Sequence, residues 1–81
     1  MMNRDGFINW LIVKKGLKQR SSKDVFSNLI RAGRYVSLLE DIPVDELIFK
    51  LDRNDEFNSF TRAVKSHMRR AVRLYREYKE K

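Results

Sequence analysis

The sequence has no cysteine, and its only histidine is His67. Without cysteine there is neither a disulfide nor a thiolate-bound metal. A lone histidine also argues against zinc or iron, whose sites draw on several His or Cys ligands. No metal and no cofactor are therefore expected. Proline occurs once, at Pro43, and glycine three times, at Gly6, Gly16 and Gly33. So few breakers leave room for long helices. No stretch alternates apolar and polar residues as a half-buried strand does. The longest apolar run is Trp10-Leu11-Ile12-Val13, far short of the ~18 residues that suggest a membrane span. The N-terminus lacks the basic-then-apolar order and the small-residue cleavage site of a secretory signal. A soluble, cytoplasmic protein with no membrane partner is expected. Nothing pairs a nucleophile with a base, so no catalytic residue, enzyme activity or small-molecule substrate is expected.

What is present is charge of one sign. The 81 residues hold 18 Lys and Arg against 11 Asp and Glu, a net charge of +7. At 42% hydrophobic the chain is too apolar for disorder, and its length allows one domain, residues 1–81. The charge is sorted along the chain. Residues 14–34 carry seven bases and one acid, Asp24. Residues 40–56 carry seven acids and two bases, Lys50 and Arg53. Residues 57–81 carry eight bases and two acids, Glu77 and Glu80. Two basic segments thus flank an acidic one, a pattern that points to a polyanionic partner. A merely solvated surface is the plainer alternative.

Apolar spacing predicts four helices. The first spans about residues 5–15, with Phe7, Ile8, Trp10 and Leu11 on one side and Gly16 as a left-handed stop followed by Leu17. The second starts at a Ser21 or Ser22 cap and runs to about Leu39. Its stripe is Val25, Leu29, Ala32, Val36 and Leu39, with Gly33 tolerated inside it by close approach of another helix. The third is short, from Pro43 to Asp52, with Pro43 in the first turn and Val44, Leu47, Ile48 and Leu51 inward. Arg53-Asn54-Asp55 is the turn after it. The fourth begins near Ser59 and reaches Tyr78. Phe57, Phe60, Val64, His67, Ala71, Leu74 and Tyr78 form its apolar side, and the end from Arg76 frays. Trp10 and the five phenylalanines are assigned to the core, and His67 to its edge.

The fourth helix carries the functional expectation. Arg62, Lys65, Arg69, Arg73 and Arg76 fall within an arc of roughly 80°, opposite the expected apolar side. No acid interrupts residues 59–76, so like charges crowd one ridge that a phosphate would relieve. The second helix repeats the design with Lys23, Ser27, Arg31 and Arg34. Before it, Lys18, Arg20, Ser21 and Ser22 surround a helix start, where backbone N–H groups, hydroxyls and cations form a phosphate clamp. Gln19, Asn28 and Arg31 are residue types that pair with base edges. The two ridges are expected to point to one side, with the acids of the third helix away from them. Alanine at Arg69 and Arg73 should then weaken binding with little loss of folding. The alternative is a protein–protein interaction bundle that docks through the acidic 40–56 segment.

Phe7-x-x-Trp10-Leu11, then Lys15-Gly16-Leu17-x-x-Arg20-Ser21-x-x-Asp24, then the long second helix resembles the N-terminal core-binding domain of tyrosine recombinases, the phage integrases. The resemblance covers nearly the whole chain. It implies an all-α, SAM-like four-helix bundle with a short third helix that clamps one face of double-stranded DNA. By that likeness Lys18, Arg20, Lys23, Arg31, Lys65, Arg69 and Arg73 are contacts, and DNA integration or recombination near the nucleoid is the setting. Recombinase chemistry belongs to a separate catalytic domain. His67-Met68-Arg69-Arg70 matches that domain's His-x-x-Arg as a string, and Tyr75 follows. The match lies in the basic helix with no room for the remaining parts, so no catalytic role is assigned. The chain is then either a fragment of a longer integrase or a stand-alone accessory or regulatory binder. Its further partner would be a catalytic domain or a second copy.

Overall fold

The structure, a computed structural model, describes residues 3–80. Helices follow one another without a strand among these residues: α1 (Arg4–Lys15), α2 (Gln19–Ala32), α3 (Val44–Asp52), α4 (Asp55–Asn58) and α5 (Arg62–Glu80). The all-helical class is as expected, but there are five helices where periodicity indicated four.

Local chemistry sets most of the boundaries. The Asn3 side chain accepts from the Gly6 N–H at 2.9 Å and opens α1. Asp5 in the first turn and Lys14 and Lys15 in the last complement the helix dipole. Gly16 closes α1 at φ 68°, where a side chain would clash with its own carbonyl. From there the Gly16 and Leu17 N–H groups both turn back to the Leu11 carbonyl.

The expected serine cap of α2 is corrected. Lys18 is the N-cap residue, with extended backbone and no side-chain cap. Its carbonyl already accepts from the Ser22 N–H at 2.9 Å. Ser21 and Ser22 therefore lie inside the helix, and Ser22 is fully buried with its hydroxyl unpaired. The other end is corrected too. α2 stops at Ala32, with Gly33 as C-cap, instead of continuing to Leu39. The chain reverses there, and Leu38 folds back over Gly33. An alanine Cβ at Gly33 would lie 3.1 Å from the Leu38 Cδ1. The neighbour that glycine accommodates is thus its own following loop, not another helix. Leu39 is left 61% exposed.

Pro43 is the N-cap of α3, and Leu47, Ile48 and Leu51 are buried as expected. The expected turn at 53–55 instead leads into α4. Asn54 caps that single turn by accepting from the Phe57 N–H at 3.0 Å, which drives Phe57 into the core. Thr61 then opens α5 by accepting from the Val64 N–H. The helix persists through Glu80, past the point where fraying was expected.

The core forms where α2 lies along α5, its most extensive partner, with α1 and α3 packed around the pair. Val25, Leu29 and Ala32 of α2 meet Met68, Ala71, Val72 and Tyr75 of α5. At one end Phe7 is fully buried in an aromatic cluster. Its ring centroid lies 6.2 Å from Trp10, 5.6 Å from Tyr75 and 5.5 Å from Tyr78. Burial pushes the Tyr75 phenol above its ordinary value, with Tyr78 adding to the shift. Two of the five phenylalanines, Phe7 and Phe57, are fully buried; Phe26 and Phe60 are partly so. Phe49 is corrected from core to surface, being 57% exposed on α3. No described helix is long and apolar enough to cross a membrane.

Candidate nucleic-acid interface

The inward side of α5 is Met68, Ala71, Val72 and Tyr75. The expected stripe of Val64, His67, Ala71, Leu74 and Tyr78 lies about 70° round the helix from that line. Two overlapping apolar sets exist on this helix: Met68, Ala71, Val72 and Tyr75 are buried, and Val64, Leu74 and Tyr78 are partly buried against the same core. The rotation has two consequences. His67, expected at the core edge, is exposed. The ridge Lys65, Arg69, Arg76 moves from open solvent to the margin of the core, where all three are half-buried.

At that margin stands the acidic segment. Arg69 Nε donates to Asp52 Oδ1 at 2.8 Å, and its guanidinium lies 5.3 Å from the Phe57 ring centroid. Arg73 pairs with Asp45 at 3.2 Å. Arg76 donates to the backbone carbonyls of Ile42 and Glu40, tying the loop before α3 to α5. Lys50 donates to Glu40, which raises its pKa above the ordinary lysine value. The acids of α3 are therefore packed against the α5 ridge, not held away from it. That overturns the expected back-to-back arrangement. The physical reason is complementarity: a helix dense in arginine and a segment dense in carboxylate neutralise each other within one chain. Of the five ridge residues, Arg69 and Arg73 are ion-paired and Arg76 is held by carbonyls, while Arg62 and Lys65 have no ion pair among the described residues.

The expected outcome of substitution changes accordingly. Arg69→Ala removes a carboxylate bond and alkyl packing against Phe57, and should cost about 1 kcal/mol, or about 4–8 °C in melting temperature. Arg73→Ala breaks a more open pair, 52% and 88% exposed at its two side chains, and should stay within about 0.5 kcal/mol. Thermal melts of the two variants side by side check this. Equal melting temperatures would show that Arg69 is not a structural residue.

α2 keeps what α5 loses. Its buried residues Ser22, Val25, Leu29 and Ala32 share one side. Arg20, Lys23, Ser27 and Arg31 lie on the opposite side and are exposed. None of these three cations has an ion pair among the described residues. Arg31 is steadied by the Phe60 ring, 5.8 Å from its guanidinium carbon. Lys18 lies exposed at the helix start, where the first N–H groups of α2 have no side-chain cap. Arg34 lies exposed just beyond the helix end. The pieces of the expected clamp other than Ser22 therefore remain on the surface: Lys18, Arg20 and Ser21.

A groove runs between α2 and α5 beside this face. One part, of about 310 Å³, is lined by Asp24, Ser27, Asn28, Arg31 and His67. It continues along Ser21, Asn28, His67 and Arg70. Asn28 Nδ2 is anchored on the Asp24 carbonyl at 3.0 Å. Ser21, Ser27 and Arg31 were expected at an interface. His67 and Arg70 were not. Placing Met68, Val72 and Tyr75 inward turns both toward this groove, and that choice of stripe was the signal available in the sequence. No group of acids and histidines among the described residues is arranged to hold a metal. No family model, no curated protein and no solved structure matches this chain.

Proposed function

We propose that the protein binds double-stranded DNA, with the outward face of α2 as its principal contact. The observation that carries this is the set Arg20, Lys23 and Arg31, exposed on one face of a helix and free of ion pairs among the described residues. Unneutralised cations in one row repel each other, and a row of phosphates relieves that repulsion while releasing counter-ions. Lys18 and Arg34 extend the row at its two ends. Arg62 and Lys65 are secondary contacts on α5. Arg69, Arg73 and Arg76 are engaged by the acidic segment and brace the fold. The resemblance to integrase core-binding domains supports the same partner. In that reading the chain is a SAM-like DNA clamp, serving as part of an integrase or as an accessory binder of that type.

Titration of a labelled duplex at two salt concentrations tests the proposal. Three to five neutralised phosphates give a slope of log K on log salt of about −2.7 to −4.5. A flat plot would remove the DNA-binding reading. A second reading has its own observation: Phe49 stands 57% exposed on α3, within the acidic 40–56 segment, with the Arg53 guanidinium carbon 5.5 Å from its ring centroid. A salt-sensitive dimer in light scattering, with no duplex shift, would give the function to that surface instead.

A further inference from the structure

The groove between α2 and α5 supports a finer inference, which rests on the DNA-binding reading above. We infer that this groove seats one backbone phosphate of the bound duplex, and that His67 takes up a proton as the phosphate enters. Arg31 stands on the α2 wall, and His67 and Arg70 on the α5 wall. Ser27 and Asn28 add a hydroxyl and an amide between them. A phosphodiester presents oxygens that only accept, so a cleft of guanidinium, imidazolium, amide and hydroxyl donors matches it.

The charges around the imidazole decide the sign of the proton step. Arg31 lines the groove from α2, and Arg70 follows His67 on α5. Asp24, also on the α2 wall, is the one acid lining it. A phosphate brings a negative charge to the same place and favours the protonated ring. Arginine does not release its proton near neutral pH, and a phosphodiester does not gain one. Histidine is the side chain that changes charge between about pH 5 and 8, and this chain has one. Proton uptake on binding means that affinity rises as pH falls.

The test is a set of labelled-duplex titrations at about pH 6 and about pH 7.5, at one ionic strength, on the wild type and His67→Gln. Proton NMR of the imidazole, free and with saturating duplex, accompanies them. His67 is exposed, so the variant keeps the fold. The wild type should bind about five- to tenfold more tightly at the lower pH. His67→Gln should lose that difference, and the imidazole midpoint should move upward in the complex. A wild type that binds equally at both pH values, or a His67→Gln protein that keeps the difference, overturns the phosphate seat. In either case the salt-dependent binding to α2 stands. Absence of duplex binding under all conditions overturns both readings.

Discussion

Replacing Arg20, Lys23 and Arg31 together with glutamine should weaken duplex binding by about two orders of magnitude at low salt. Each cation, if it neutralises one phosphate, contributes about 0.9 to the salt slope. The triple variant should therefore flatten that slope by about 2.7, which leaves the contribution of the α2 ends, of Arg62 and Lys65, and of the α5 wall of the groove. The fold should not suffer. The three side chains are exposed and have no ion pairs to break among the described residues. Glutamine also holds a helix about as well as lysine or arginine. Removing three like charges from one face even relieves repulsion. Circular dichroism melts should thus coincide with the wild type, while anisotropy titrations at two or more salt concentrations separate the two proteins. An unchanged slope would move the interface off α2 and leave the charge there as a solvated surface. Arg69→Ala is the useful contrast. It removes the same charge but should act on the melt more than on binding, because its guanidinium already has Asp52 and the Phe57 ring.

Phe7→Ala should be the most damaging single change to the fold. Phe7 is fully buried and touches rings from both α1 and α5, edge-on to Tyr75 at 88° between planes. Truncating such a residue loses transfer energy and leaves a cavity, together about 3–5 kcal/mol. Lost ring–ring geometry adds to this. A domain of this size has a thin margin, since native stabilities are only about 5–15 kcal/mol. The melting temperature should fall by at least about 12 °C. A near-native melt would show that α1 is not needed to close the core. Phe7→Leu keeps most of the volume and should recover a large part of the loss.

Several structural features were legible in the residues. The glycine stop at Gly16, the proline entry to α3 at Pro43, and the inward Leu47, Ile48 and Leu51 all follow from local rules. The boundary errors have separate causes. Ser22 has the chemistry of a cap, but it shares the inward side of α2 with Val25, Leu29 and Ala32 and is buried there. Gly33 can sit inside a helix, yet Leu38 returning over it favours a stop. α4 is a single turn, too short for a periodic signal, held by its Asn54 cap, the Phe57 anchor and the Asn58 amide on the Asp52 carbonyl. The site errors come from one ambiguity in α5. Its apolar residues fit two overlapping stripes that both touch the core, and centring the helix on the outer one sent His67 inward and Arg69 and Arg76 outward.

The sequence by itself determined that this is a cysteine-free helical chain with its charge sorted into basic, acidic and basic blocks, because periodicity, breakers and charge order are properties of the chain alone. Only the tertiary structure decided which cations remain available. An ion pair depends on distance in space, and α3 packs against the flank of α5 and not against the outer face of α2. The same amount of positive charge therefore braces the fold on one helix and stays open to a partner on the other.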